Sequence, residues 1–78
     1  MPYYFFHWDA QTIGYLDQHG VTPGEFEEVV TAPDRLERSR SSGDWIAFGM
    51  TSTGKYLGCV YEEFADTIYP ITAFDLDD

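Results

Sequence analysis

The sequence predicts an α+β domain in which an N-terminal strand and two short helices precede a four-stranded antiparallel meander, with the helices on one face of the sheet. Two observations favour this class. Helix caps and apolar residues at helical spacing occupy residues 9–32, whereas the second half alternates strand-like runs with short connections. The 78 residues contain no repeat and no linker, so we expect a single domain.

The first two elements follow from an aromatic run and a helix cap. The run "YYFFHW", residues 3–8, is aromatic throughout and is typical of a strand. Asp9 can cap a helix that continues to His19, and Gly20 just beyond that residue suits a helix end. The predicted buried stripe of this helix consists of Ala10, Ile13 and Leu16.

The clearest local pattern is "VTPGEFEEVV", which predicts a second helix over residues 22–32. Thr22 and Glu25 have the spacing of a capping box, and Pro23 suits the first helical position. Pro33 ends the helix, because proline cannot continue the hydrogen-bond pattern. The buried stripe of this helix is predicted to be Phe26, Val29 and Val30.

Four strand-like runs follow, and the connections between them predict how they pair. "SSG" and "STG" place a glycine at the end of a three-residue connection, which suits a hairpin with a bulge, and "FAD" is the third connection. Consecutive strands are therefore expected to be antiparallel. The predicted strands cover residues 36–40, 44–51, 55–63 and 67–75.

Both faces of this meander are predicted to be apolar, although two short helices can cover only one of them. The face expected under the helices carries Ile46, Phe48, Met50, Tyr56, Val60, Tyr69, Ile71 and Ala73. The other face carries Cys59 and the predicted partner-binding residues Trp45, Leu57, Tyr61, Ile68 and Phe74. Either the N-terminal strand and a loop cover this second face, or another protein does.

The charge of the chain bears on its partners. Fourteen Asp and Glu residues stand against four Lys and Arg residues, which gives a net charge of −10. Such a body repels polyanions, so binding to RNA or DNA is disfavoured, whereas a basic protein would be attracted. A homodimer through the apolar face and a complex with a basic protein are both open at this point.

The few cations are concentrated, because three of the four lie within six residues, namely Arg35, Arg38 and Arg40. One interpretation is a small anion-binding or substrate site. The other is neutralisation by Glu37 and Asp44, since opposite charges on neighbouring strands stabilise a sheet. The strand order predicts that the fourth cation, Lys55, lies closer to Arg35 than to Arg40, which disfavours a single phosphate-binding cluster.

The histidines have structural and functional interpretations. His19 would cap the first helix at its C-terminal end or act in catalysis, and His7 is expected to be a packed core histidine. Together with Asp9 they lack the spacing of metal ligands, so we expect no metal site, and no nucleotide motif indicates a cofactor. We expect no signal peptide and no membrane span, and a lone Cys59 fits a cytoplasmic protein.

Several short motifs, taken in order, resemble one known family. They are Trp8-Asp9, Leu16, His19-Gly20-Val21, Phe26, Val29-Val30, Pro33, the hairpin "WIAFGMTSTGKYLGCVYEE" and the strand "IYPITAF". Over nearly the whole chain this pattern resembles the BrnT toxins, small ribonucleases with a RelE-like fold that pair with a DNA-binding antitoxin. The resemblance implies metal-independent cleavage of RNA, for which the candidate catalytic residues are His19, Arg38, Arg40 and Lys55.

The chain departs from that family where cations are concerned. The family's lysine in the first helix is missing from "TIGY", Gln18 precedes His19 where the family has another lysine, and Tyr15 replaces its asparagine. The arginine-rich last strand and tail of the family are replaced by "IYPITAFDLDD". Because RNA cleavage needs cationic groups on the phosphate, we expect ribonuclease activity to be lost or attenuated.

Three functional hypotheses follow. The first is a toxin-like domain that acts by protein–protein interaction. The alternative is an active toxin–antitoxin ribonuclease of the mRNA interferase type, neutralised by a DNA-binding antitoxin. The third is a housekeeping domain that shares the fold. The low number of cations favours the first.

Overall fold

The structure is a computed structural model that describes residues 5–76, and its α+β architecture confirms the predicted fold class. The predicted first strand starts at Tyr3, so its first two residues lie outside the described part. The elements in chain order are β1 (Phe5–Phe6), α1 (Ala10–Gln18), α2 (Pro23–Thr31), β2 (Arg35–Arg38), β3 (Trp45–Met50), β4 (Tyr56–Phe64) and β5 (Thr67–Asp75).

Both helices begin and end at the residues that the caps predict. Asp9 has an extended backbone and accepts a hydrogen bond from the backbone N–H of Thr12 at 2.7 Å, so it caps α1. His19 is the C-cap, and Gly20 follows in the left-handed region with φ of 74°. The peptide N–H of Val21 then donates to the carbonyl of Leu16 at 2.9 Å, which closes the helix end.

The capping box of α2 forms in both directions. Thr22 Oγ1 accepts from the backbone N–H of Glu25 at 3.2 Å, and Glu25 Oε1 accepts from the backbone N–H of Thr22 at 3.0 Å. Two of the N–H groups that a helix start leaves without partners are thereby satisfied. The prediction for this helix is confirmed.

The sheet contains five strands in the order β1-β5-β4-β3-β2. Strands β2 to β5 pair antiparallel with their sequence neighbours, as the meander predicts, and β1 adds a short parallel edge through the pairs Phe5–Thr67 and Phe6–Ile68. Strand β2 is shorter than predicted because a turn starts at Ser39, whose carbonyl accepts from the N–H of Gly43 at 2.9 Å.

The core lies between the two helices and one face of the sheet. Leu16, Phe26 and Val29 of the helices are fully buried. The sheet residues in the same core are Ala47, Leu57, Cys59, Tyr61, Ile68 and Ala73. Several of these are small, and a Cβ atom on the neighbouring Gly49 would lie 3.4 Å from Val29 Cγ1, so α2 packs close to β3.

The aromatic N-terminal segment contributes to both sides of the sheet. Phe6 and Trp8 pack against the core, where the Trp8 ring meets Phe26 edge-on at 5.4 Å and its Nε1 donates to Glu27 at 2.7 Å. His7, which we predicted to be a packed core histidine, is exposed instead. Because side chains alternate along an extended segment, it points away from the helices and contacts the ring of Tyr69 at 5.3 Å.

Candidate protein-binding surface

The side of the sheet opposite the helices has no covering element among residues 5–76, and we call it the open face. Its apolar side chains come from four strands. Three of these side chains are largely exposed: Phe64 at 72%, Phe5 at 66% and Met50 at 56%. Further apolar residues of this face are Ile46, Phe48, Tyr56, Val60, Tyr69 and Phe74. The open face is therefore a broad apolar and aromatic surface in contact with solvent.

The centre of the open face is a row of residues that crosses four strands. Gly58 pairs with Phe48 on one side and with Phe74 on the other, and the two rings meet edge-to-face above it at 6.3 Å. At the β2 end of the row, the Arg35 guanidinium lies 5.0 Å from the centre of the Phe48 ring. The aromatic surface is thus ordered by contacts within the sheet.

Acidic side chains lie at the margins of the open face. Glu37 is on β2, where its carboxylate accepts from Arg35 Nη2 at 3.1 Å, and Glu62 is on β4 opposite Tyr69. Asp66 lies in the exposed turn between β4 and β5. Within the described residues, Arg35 is the one Lys or Arg on this face, so the surroundings of the apolar surface carry more negative than positive charge.

The predicted partner-binding residues lie mostly on the other face, and this prediction is corrected. Leu57, Tyr61 and Ile68 are buried beneath the helices, and Trp45 is half-buried against the same core. Phe74 alone among the five lies on the open face, at 38% exposure.

Two physical causes explain why the helices cover the face opposite to the predicted one. Both faces are apolar, so alternation along the strands cannot decide which of them the helices cover, and the helices pack on the face with the smaller side chains. In addition, a β-bulge places one extra residue, Ile71, in β5, because Val60 pairs with Thr72 and Tyr61 with Pro70. The extra residue puts Tyr69 and Phe74 on the same face although they are an odd number of positions apart.

The candidate catalytic residues are dispersed. Arg38 lies on the helix side of the sheet, where its Nε donates to the Gly43 carbonyl at 3.2 Å and its guanidinium lies 5.1 Å from the Trp45 ring. Arg40 is exposed in the turn after β2, outside the strand in which we predicted it. Within residues 5–76, neither arginine forms an ion pair with Glu37 or Asp44. Glu37 pairs with Arg35 instead.

Lys55 is engaged at the opposite end of β3. Its Nζ donates to the Gly20 carbonyl at 2.6 Å and to Glu25 Oε1 at 3.3 Å, which brings it next to the segment that contains His19. The His19 ring lies 4.8 Å from that of Tyr15 on the exposed side of α1. The structure therefore brings Lys55 near His19 but separates this pair from Arg38 and Arg40.

A buried carboxylate, which the sequence indicates only as a helix cap, organises this end of the domain. Burial raises the pKa of Glu25, but hydrogen bonds from Thr53, Thr22 and Lys55 outweigh it, so the pKa is lowered from its ordinary 4.5. Thr53 Oγ1 donates to Glu25 Oε2 at 2.6 Å, and the Ser52 N–H donates to Glu28 Oε1 at 2.6 Å. These contacts attach the β3–β4 turn to α2.

Other features of the described chain add no chemistry of their own. A shallow groove between α1 and β5 is lined by Gln11, Thr12, Tyr15 and Ile71, which include no Asp, Glu, Lys or Arg. Within residues 5–76 no group of three His, Cys, Asp or Glu side chains is arranged to hold a metal ion. Neither described helix has the length and apolar character needed to cross a membrane.

Comparison with known proteins identifies no relative. No family model, no curated protein and no solved structure matches this chain. The resemblance to the BrnT family accordingly stays a prediction that is based on the motifs themselves.

Proposed function

We propose that this protein is a toxin-like domain that acts by binding another protein through the open face of its sheet, with ribonuclease activity lost or attenuated. The observation that carries the proposal is the exposure of Phe5, Met50 and Phe64 on the face of the sheet that also carries the aromatic row of Phe48 and Phe74. Large exposed apolar surfaces are uncommon on soluble monomers and mark interaction sites. Aromatic side chains also dominate the binding energy of many protein interfaces.

The charge distribution supports a basic partner. The chain carries −10 overall, and Glu37, Glu62 and Asp66 lie around the open face. A partner with apolar residues at its centre and Lys or Arg residues at its rim would match both the aromatic surface and its acidic margin. Opposite charges at the rim would mainly accelerate association, while the buried aromatic contacts would set the lifetime of the complex.

The contacts that the cationic side chains make within the domain support the loss of ribonuclease activity. Arg35 and Lys55 are engaged by carboxylates, and Arg38 by a carbonyl and an indole ring. A phosphate would have to compete with these contacts and with the long-range repulsion of the acidic body.

The proposal is tested with the product of the neighbouring gene, which under the toxin-like reading is a basic, DNA-binding protein. Both full-length proteins are purified and titrated by calorimetry. We expect tight binding that weakens at least tenfold in Phe64→Ser and in Met50→Ser, since each loses an exposed apolar side chain without loss of core packing. Ile13→Ser is the matched control, because Ile13 is a partly exposed apolar residue of α1. Equal binding by all three variants would refute the open face as the binding surface.

A further inference from the structure

Strand β2 is a free edge of the sheet within the described chain. It is last in the strand order, and all four of its residues, Arg35–Arg38, are exposed. A free edge presents unpaired backbone N–H and C=O groups to any strand that can align with it. The question is which strand this edge would accept.

The register of β2 on β3 defines which backbone groups point outward. The Ser39 N–H donates to the Asp44 carbonyl at 2.7 Å, one step beyond the pair Arg38–Trp45. Since antiparallel strands alternate hydrogen-bonded and non-hydrogen-bonded pairs, Glu37 and Arg35 also direct their backbone groups to β3. Leu36 and Arg38 therefore direct theirs toward solvent, at the outer edge.

The charges along this edge are complementary to those of the same segment running in the opposite direction. The segment "DRLER", residues 34–38, has opposite charges at equal distances on either side of Leu36. If a second copy runs antiparallel with Leu36 opposite Leu36, Arg35 lies opposite Glu37 and Asp34 lies opposite Arg38. Both Arg35–Glu37 pairs across that junction are then attractive. Asp34 precedes β2 and its N–H donates to the Phe48 carbonyl of β3 at 2.7 Å, so backbone pairing with the second copy does not extend to Asp34. The segment contains two of the four cations in the whole chain.

Backbone and side-chain geometry agree on the same alignment over Arg35, Leu36 and Glu37. The outward N–H and C=O of Leu36 would exchange hydrogen bonds with those of the second Leu36. Arg35 and Glu37 would then form the non-hydrogen-bonded pairs, in which side chains of neighbouring strands lie closest. Within one chain these two side chains already pair at 3.1 Å on the open face, so two copies would build an alternating cluster of four charges.

We propose that two copies of this chain associate through their β2 edges, antiparallel and centred on Leu36, to form one continuous sheet. The occupant of the free edge is thus a second copy, and the two open faces become a single aromatic surface. The net charge of −10 on each copy opposes this association at long range. At physiological ionic strength screening acts over about 8 Å, so the bodies repel weakly while the contact pairs at the edge persist.

The test exchanges charges across the junction. Sedimentation velocity of the full chain over a concentration series is expected to show a monomer–dimer equilibrium. Arg35→Glu places Glu opposite Glu37, and Glu37→Arg places Arg opposite Arg35, so each variant alone is expected to lose the dimer. An equimolar mixture of the two variants restores both pairs and is expected to recover the dimer. The double variant R35E/E37R is expected to form its own dimer.

Matched controls separate this pairing from a general charge effect. Arg40→Glu changes the net charge as Arg35→Glu does but lies in the turn after β2, and it is expected to retain the dimer. A loss of dimer in Arg40→Glu equal to that in Arg35→Glu would overturn the proposal. So would a mixture of the two variants that stays monomeric, or a wild-type chain that is monomeric at every concentration. Circular dichroism verifies that each variant is folded.

This proposal is independent of the function proposed above. The measurement uses the purified chain without any other protein, and Phe64→Ser is expected to dimerise as the wild type does because Phe64 is on β4. A monomeric wild-type chain would leave binding through the open face intact, and failure of the open-face test would leave the dimer intact.

Discussion

The ring of Phe74 occupies the space in which a side chain on Gly58 would lie. A Cβ atom placed on Gly58 would come within 2.5 Å of Phe74 Cζ and 3.2 Å of Phe48 Cε1. A glycine in the interior of a strand often marks such a close approach. The edge-to-face contact between the two rings therefore depends on the absence of a side chain between them.

The first prediction concerns this glycine. Gly58→Ala is expected to displace the Phe74 ring, to lower stability by about 1 kcal/mol through overpacking, and to weaken partner binding through the open face. Thermal unfolding and calorimetric titration measure the two effects. Gly14→Ala is the control, because nothing lies within 4 Å of its Cβ in α1, and it is expected to raise stability by about 0.5–1 kcal/mol. Unchanged stability and binding in Gly58→Ala would contradict the assigned role.

The second prediction concerns Glu25 and acid. Its pKa is lower in the folded protein than its ordinary 4.5, so its contribution to the free energy of unfolding is complete above 4.5. That contribution is lost as the pH falls through the lower, folded-state pKa. Urea unfolding from pH 7 to pH 2 is expected to show a smaller acid-induced loss of stability in Glu25→Gln than in the wild type.

Glu25→Gln is also expected to be less stable at pH 7 by about 1–3 kcal/mol, because a charged hydrogen-bond network is broken at a buried site. Glu63→Gln removes an exposed carboxylate of β4 and serves as the control for charge alone. If the two variants showed identical stability profiles between pH 7 and pH 2, the network around Glu25 would have no energetic importance.

The third prediction concerns the thiol of Cys59. Burial, assisted by the nearby charge of Glu25, raises the pKa of Cys59 to about 12, so little thiolate forms at pH 8. The native protein is expected to react with a disulfide reagent only on the timescale of unfolding, and the reaction is expected to become fast in guanidinium. Rapid labelling of the native protein would show that the core around β4 opens readily.

The fourth prediction concerns ribonuclease activity. Expression of the full chain in a bacterial host is expected to leave growth and mRNA levels unchanged, because the cations are dispersed and Arg35, Arg38 and Lys55 are engaged in contacts within the domain. Growth curves with and without induction measure this outcome. Growth arrest that disappears in His19→Ala or Arg38→Ala would instead favour the active-toxin alternative.

Local features of this chain could be predicted from the sequence because the residues that form each of them lie close together in the sequence. The capping box of Thr22 and Glu25 involves residues three positions apart, and its pattern is found in the structure as expected. Turn residues likewise predicted the antiparallel meander, since short connections leave antiparallel pairing as the simple solution.

Long-range features could not be predicted in the same way. Which face the helices cover depends on packing between distant segments, and the bulge at Ile71 reverses the alternation partway along β5. The contacts of Glu25 with Thr53 and Lys55 span 28 and 30 residues, so nothing in the local pattern around the capping box indicates them. The exposure of His7 could not be predicted for the same reason, because only the sheet order shows which side of β1 faces the core.

The position of β5 has a consequence for the order in which the domain is assembled during synthesis. Of the described strands, β1 is synthesised first, and β5, the strand that it pairs with, is synthesised last. Pairing across so long a stretch of chain is slow to form and comes late in folding. Until β5 emerges, a nascent chain can form both helices and the β2–β4 hairpins, and Trp8 can contact Phe26 and Glu27 of α2, but Phe5 and Phe6 have no strand to pair with. The backbone pairing of β1 is therefore delayed until the end of the described chain has been synthesised.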